Sequence, residues 1–162
     1  MANSDRPQGL RPYGRVRQVQ ELVAGAACFP GDCVQMQSDG KVDPAAAGAS
    51  ILGVALSYAS ADGAKVLVST HPEQLYVVQC DGAAIDAQTD VGNNGDILAT
   101  AGNSTYKVSR QEIDTTTIAA AAAQLTILQV SRETNNDLGG FVDVIVRINE
   151  HQISGVNAFA GI

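Results

Sequence analysis

Few residues in this chain have the types and spacing that catalysis requires. The two histidines are His71, which precedes Pro72, and His151, and neither has a cysteine beside it in the sequence. A nucleophilic pair of Cys80 with His71 would require a strand to fold back on its own corner, whereas a corner histidine usually bonds to backbone. The GxSxG, HExxH, P-loop and GxGxxG motifs are absent.

Three glutamates leave one further catalytic possibility open. Glu73, Glu112 and Glu150 could combine in pairs as the acid and base of a glycosidase. They are scattered among turns, however, and carboxylates in turns are usually solvated. The sequence therefore predicts no catalytic residue, and we expect a protein that is not an enzyme.

The loop at residues 89–96, TDVGNNGD, offers side-chain oxygens that suit a calcium ion. The order of Asp90, Asn94 and Asp96 differs from that of an EF-hand, which also needs a closing glutamate on the following helix. We therefore expect a structured loop, no metal site and no cofactor.

The cysteines Cys28, Cys33 and Cys80 are odd in number and have no CxxC spacing. The sequence shows neither a secretory apolar region nor a membrane span, so free thiols from synthesis in a reducing cytosol are expected. A disulfide between Cys28 and Cys33 stays open as an alternative.

Charge is unevenly distributed along the 162 residues. The formal net charge is −7, yet residues 1–17 contain four arginines and one aspartate and so carry +3. The other 145 residues carry −10, because sixteen acidic residues outnumber six basic ones. Such a body lacks the clustered Lys and Arg that neutralise phosphates, so we expect no direct nucleic-acid contact and no membrane partner.

Residues 65–82 organise the predicted fold. Two alternating apolar runs, residues 65–69 and 75–80, flank a polar corner, and Asp81-Gly82 ends the second run. Both faces of residues 75–80 are largely apolar, which predicts a central strand covered on both sides.

Further strands are predicted at the short spacing of all-β barrels and sandwiches. Gly53 marks a bulge or a close backbone approach inside one of them. Asp114 or a neighbouring threonine would cap one or two turns of helix in an alanine-rich run, with a loop as the alternative. The other predicted strands are residues 14–23, 32–37, 51–58, 97–99, 106–109, 124–130 and 141–148.

The chain divides into an N-terminal arm at residues 1–14, a β-rich body at 15–150 and a C-terminal tail at 151–162. The arm contains prolines and no apolar period, so it is either a disordered tail or an extended arm that orders on a neighbouring subunit. The tail ends in apolar residues that we expect to dock. The residues of the N-terminal region expected to contact another subunit are Arg6, Leu10, Arg11, Tyr13 and Arg15.

Several segments, in collinear order over most of the chain, resemble the capsid decoration (cement) proteins of tailed bacteriophages. They are ANSDRPQGLRPYG, ILGVALSY, HPEQLYVVQCDG, TDVGNNGDI, TILQVSRETNNDLGG and VDVIVRINEHQ. The Cys-Asp-Gly at 80–82 and the long C-terminal tail depart from that pattern, which leaves the role of the tail open.

The resemblance implies a mainly β protein with a small barrel or tulip-like body, an extended N-terminal arm and little helix. It also implies a structural role on the outer surface of the phage head, after synthesis in the host bacterial cytoplasm. There the protein would bridge subunits of the major capsid protein and contact its own copies, with a homotrimer favoured and a dimer possible. The alternative is another virion component, such as a tail or head-to-tail protein.

Overall fold

Strands dominate the structure, a computed structural model that describes residues 3–82 and 88–154. Two 3₁₀ turns, Gln88–Asp90 and Thr115–Thr117, are the only helical elements in those ranges. The prediction of a mainly β protein with little helix is confirmed. The strands are β1 Arg11–Pro12, β2 Val19–Val23, β3 Cys33–Met36, β4 Val42–Pro44, β5 Gly53–Ala55, β6 Lys65–Ser69, β7 Leu75–Gln79, β8 Asn94–Gly95, β9 Ile97–Leu98, β10 Glu112–Ile113, β11 Leu125–Val130 and β12 Asp143–Ile148.

Two five-stranded antiparallel sheets contain ten of these strands. The first sheet has the order β1-β7-β12-β11-β8, and the second has the order β2-β6-β5-β3-β4. The edge strands of the second sheet meet at one point, where Ala24 bridges Val42 and Gly25 N donates to Val42 O at 2.9 Å. No closed barrel is found in the part of the chain that the structure describes.

The main core lies between the two sheets. Tyr76, Val78 and Val144 from the first sheet pack with Cys33 and Val54 from the second, and all five are fully buried. A second cluster of small apolar side chains fills the inside of the second sheet. Its members include Ala24, Cys28, Val34, Val42, Leu52, Ala55, Val66 and Val68.

Strand β7 is buried and paired on both edges, as its apolar faces predicted. It pairs with β1 on one side and with β12 on the other. The middle of the sheet is nevertheless β12, because β11 and β8 extend the sheet beyond it. Alternation alone predicted that residues 75–80 are covered, and it gave no information on which strand has more neighbours.

Local features of the second sheet match the sequence pattern. Strands β3 and β4 form a hairpin, with Gly40 at a positive φ of 80° in its turn, as the alternating run and the Ser-Asp-Gly sequence at 38–40 indicate. A Cβ atom on Gly53 would collide with the carbonyl oxygen of Ser69 on the paired strand β6, so the close backbone approach is confirmed.

One predicted strand is absent, and the predicted helical turn is short. Residues 106–109 form no strand, because Asn103 Oδ1 accepts from Thr105 N and Tyr106 N and so closes a turn instead. The alanine-rich run contributes only the 3₁₀ turn at Thr115–Thr117, where Asp114 is the N-cap and accepts from Thr116 N at 3.0 Å. The run is too short to form a helix without packing partners.

Candidate functional site

The N-terminal arm lies extended along the first sheet of its own chain. Arg11 pairs with Val77 and Pro12 with Tyr76, which makes β1 the edge strand beside β7. Tyr13 N also donates to Leu75 O at 2.8 Å. The described part of the arm is therefore ordered by contacts within the chain, and the predicted contact with a neighbouring subunit stays a prediction.

A buried amide side chain holds the start of the arm by its backbone. Gln79 Oε1 accepts from Arg6 N at 2.8 Å, while Gln79 Nε2 donates to Ser4 O at 2.8 Å and Phe141 O at 3.1 Å. Asn3 adds a reciprocal pair with Asp137, in which Asn3 Nδ2 donates to Asp137 O at 2.7 Å and Oδ1 accepts from Asp137 N at 3.0 Å. The Gln79 bonds use main-chain groups of the arm and the Asn3 bonds use a neutral amide side chain, so none of these bonds uses a cationic side chain of the arm.

Leu10 is the apolar anchor of the arm, and it is buried within its own chain. Its side chain is 1% exposed and belongs to the core between the sheets. The preceding Gly9 has a positive φ of 67°, and a Cβ there would collide with Gly31 O and Ser109 Oγ. The backbone thus passes too close to the body for any other residue, and Leu10 is not available to another subunit in this arrangement.

The other predicted contact residues lie at the surface and do not form one cluster. Arg11 is half-exposed and reaches Asp143 Oδ2 at 3.4 Å, whereas Arg6, Tyr13 and Arg15 are exposed. Burial raises the pKa of Asp143, and the neighbouring Arg11 guanidinium opposes that rise. Arg6 and Arg11 share a polar groove of about 360 Å³ between the arm and residues 133–143.

A cavity that the sequence did not predict brings the two histidines together. His71, Arg147 and His151 line a space of about 380 Å³ beside the end of β12. The antiparallel register pairs Leu75 with Arg147. Residue 71, four positions before Leu75, and residue 151, four positions after Arg147, therefore approach one another. Knowledge of this register would have revealed the pair, and the sequence alone does not specify it.

Hydrogen bonds fix His151 as a neutral ring. Its Nε2 lies 3.0 Å from Thr70 O and so donates, and its Nδ1 accepts from Ile153 N at 3.2 Å. Burial lowers the pKa of His151, while the bond to Thr70 opposes the change. One ring nitrogen donates and the other accepts, so His151 acts here as a structural link between two segments.

The three cysteines are free and buried, so the disulfide alternative is not formed. Burial raises the pKa of Cys28 to about 12, with smaller contributions from Asp32 and Asp43. Burial also raises the pKa of Cys33 and Cys80. Cys80 follows β7 at the end opposite to the His71 corner, and it bridges Ile113. The suggested pairing of Cys80 with His71 is therefore not formed.

The three glutamates considered as acid and base have different neighbours. Glu73 Oε2 lies 3.5 Å from Arg17 Nη1 at the surface. Burial, followed by Asp5 and Asp81, raises the pKa of Glu112 to about 7. Burial, followed by Asp96, raises the pKa of Glu150. Each glutamate is influenced by a different set of charges.

The loop considered for calcium uses its polar side chains internally. Asn94 Oδ1 accepts from Thr126 Oγ1 at 2.7 Å, and Asp96 Oδ1 accepts from Gln124 N at 3.1 Å. Within residues 3–82 and 88–154, no group of three or more His, Cys, Asp or Glu side chains could hold a metal ion. These side chains thus hold the loop against β11 and against Gln124, the residue that precedes β11.

Comparison with known proteins adds no family. No protein-family model matches the chain, and no curated protein matches it in sequence. The resemblance to decoration proteins therefore rests on the segments quoted above. In the described ranges, no helix is long and apolar enough to cross a membrane.

Proposed function

We propose that this chain is a structural protein of a tailed-phage virion that binds the outside of the head. It would stabilise the capsid by bridging subunits of the major capsid protein, as the family resemblance implies. A tail or head-to-tail protein is the alternative within the same class, and the experiment below distinguishes the two.

The observation that carries the proposal is the placement of the cationic arm on an acidic body. Main-chain bonds and the Leu10 anchor seat the arm, so the side chains of Arg6, Tyr13 and Arg15 point into solvent. An ordered arm loses little further conformational entropy on binding, which favours attachment through these side chains. Many copies on a repeating lattice then convert modest individual contacts into durable binding.

The finer architecture is also part of the proposal. The bridge between Ala24 and Val42 brings the edges of the second sheet together and supports a small barrel or tulip-like body. The resemblance favours a homotrimer on the capsid. The core consists mainly of small apolar residues, so burial of further apolar surface against other copies would add to the stability of the protein.

The proposal is tested by co-sedimentation with expanded heads that lack this protein, taken from the phage that encodes it. Deletion of the arm would remove Leu10 from the core, so surface substitutions are the appropriate variants. We expect Arg6→Ser combined with Arg15→Ser to weaken binding about tenfold, because two charge contacts with the lattice are lost. The control is Arg110→Ser combined with Arg132→Ser, which removes the same charge from exposed loops.

The control pair should bind within about twofold of the wild type. Equal loss in both pairs would contradict a specific role for the arm. Labelling of whole virions then locates the protein, and a signal confined to the tail or the head-to-tail junction would replace the head assignment with the alternative. Absence of the protein from purified virions would overturn the virion assignment itself.

A further inference from the structure

Strand β2 is an edge strand with an unpaired side. It pairs only with β6, over Val19–Val23 against Lys65–Ser69, and the register is continuous without a bulge. At its two ends, Thr70 N donates to Gln18 O and Ala24 N donates to Ala64 O, so the even-numbered residues of this segment bond to the β6 side. By alternation, the N–H and C=O groups of residues 19, 21 and 23 point away from the sheet.

The outer face of the same strand exposes apolar side chains. Val19 is 48% exposed, Val23 is 39% exposed, and Leu67 on the neighbouring β6 is 41% exposed. Proteins usually protect edge strands with prolines, bulges or several charges. Here Glu21 is the single charged residue of the strand, and its Oε1 accepts from Lys65 Nζ at 2.7 Å.

The unpaired side is open toward the start of β2 and closed toward its end. Ala24 bridges Val42, and Gly25 N donates to Val42 O, so β4 occupies the edge directly after Val23. Residues 15–21 precede that point, and Arg15, Arg17 and Val19 among them are exposed. A strand added to this edge therefore has room around Val19 rather than around Val23.

We propose that β2 of a second copy of this chain pairs with β2 in antiparallel orientation, about a two-fold axis at Val19. Val19 would lie opposite Val19 of the second copy, and Glu21 would lie opposite Arg17 of the second copy, with the reciprocal pair on the other side of the axis. The contact is isologous, so each copy contributes the same residues.

Charge and the available main-chain groups together favour this register over its neighbours. Registers must pair odd-numbered residues, because residues 19, 21 and 23 of β2 carry the outward main-chain groups. An axis at residue 18 would also pair opposite charges, Glu21 with Arg15, but it would place Arg17 beside the axis, where the Arg17 N–H already donates to Gln74 Oε1. An axis at Glu21 would place two glutamates directly opposite each other, which is destabilising, and would extend into the region that β4 occupies. An axis at Val19 instead pairs opposite charges twice. Arg17 is available, since its contact with Glu73 spans 3.5 Å between exposed groups and contributes little.

The contact is modest in size. Arg17 N already donates to Gln74 Oε1 at 3.1 Å, so about four main-chain hydrogen bonds form across the axis. With two ion pairs and the apolar valines, we expect a Kd between about 10 µM and 1 mM for the purified chain. The proposal concerns the isolated protein and holds or fails independently of the virion assignment.

Single cysteines on β2 test the register directly. Residues opposite each other in a hydrogen-bonded pair have Cα atoms about 5.5 Å apart, which suits a disulfide. Under mild oxidation we expect Val19→Cys to form covalent dimers, and Glu21→Cys and Val23→Cys to stay monomeric. The native cysteines are buried and do not interfere. Cross-linking at residue 21 or 23 rather than 19 would overturn the proposal.

A charge exchange tests the pairing without cysteines, by sedimentation equilibrium up to about 1 mM chain, the upper Kd expected above. Arg17→Glu alone, or Glu21→Arg alone, should raise the Kd about tenfold, because each creates two like-charge pairs. The combined exchange should return the Kd to near the wild-type value, whereas Arg132→Glu should leave it unchanged. A wild type that stays monomeric at the highest concentration, or an exchange that fails to restore pairing, would refute the contact.

Discussion

Gln79 Oε1 accepts a hydrogen bond from Arg6 N at 2.8 Å, so a buried side chain on β7 holds the backbone of the N-terminal arm. The nitrogen of the same amide donates to Ser4 O in the arm and to Phe141 O in the body, so both the oxygen and the nitrogen of the side chain are used. The arm is therefore positioned by an interaction that does not depend on which side chains it carries at residues 4 and 6.

Replacing this amide should release the arm. We expect Gln79→Leu to lower the free energy of unfolding by about 1–3 kcal/mol, because the carbonyl oxygens of Ser4 and Phe141 lose their donor. Amide hydrogen exchange of Arg6 should accelerate as well. Gln129→Leu, at an exposed position of β11, is the control and should change neither quantity. Unchanged exchange at Arg6 in Gln79→Leu would show that other contacts hold the arm.

Leu10 should contribute to stability as a core residue rather than as a surface contact. We expect Leu10→Ala to reduce the free energy of unfolding by about 2–5 kcal/mol, since it leaves a cavity between the sheets. Leu138→Ala is the matched control, because Leu138 is 50% exposed and should cost less than about 0.5 kcal/mol. Chemical denaturation measures both, and equal effects would contradict the burial of Leu10.

Glu112 should make stability depend on pH near neutrality. Its pKa is raised from 4.5 to about 7 in the folded state, so the protonated form is favoured by folding. This contribution is fully present below pH 4.5 and is lost as pH rises through about 7. Partial exposure reduces its size, and we expect about 1 kcal/mol.

The variant Glu112→Gln isolates that contribution. It should be more stable than the wild type by about 1 kcal/mol at pH 8 and equal to it at pH 4.5. Asp32, Asp143 and Glu150 also have raised pKa values, and they affect the pH dependence of stability equally in the wild type and the variant. The difference in stability between the two proteins therefore reports on Glu112. A difference that is the same at both pH values would exclude Glu112 as the titrating group.

The cysteines should be unreactive while the protein is folded. All three are buried and free, and burial raises the pKa of each thiol. We expect no thiol to react with a disulfide reagent within minutes in the folded protein, and three to react after unfolding. The exposed thiol of Val19→Cys provides the positive control. Rapid labelling of one native cysteine would indicate local opening of its cluster.

Sequence patterns predicted the elements whose causes are local. The alternation in β7, β11 and β12 reflects burial of one or both strand faces, and the glycine at 53 reflects the close approach of the paired strand β6. Asp114 was one of the predicted caps because its side chain competes for a nearby amide. Each of these depends on a few adjacent residues, so it can be recognised without knowledge of the fold.

The remaining features depend on residues that are distant in the sequence. The burial of Leu10 follows from Gly31 and Ser109, which close around Gly9. The approach of His71 to His151 follows from the register between β7 and β12. Neither the spacing of apolar residues nor the spacing of motifs specifies the register between β7 and β12. The arm, in turn, has no regular spacing of apolar residues. The sequence therefore predicted an extended arm and could not predict which surface it covers.

The first sheet joins parts of the chain that are synthesised far apart in time. Residues 11 and 12 pair with β7, and β7 in turn pairs with β12 at residues 143–148. Strands with such large sequence separation form slowly, because loop closure precedes any gain from their contacts. During translation, the first sheet cannot be completed around the arm until the β12 segment has left the ribosome. Nascent chains that stall before that point will expose β7, so we expect them to be substrates for chaperones.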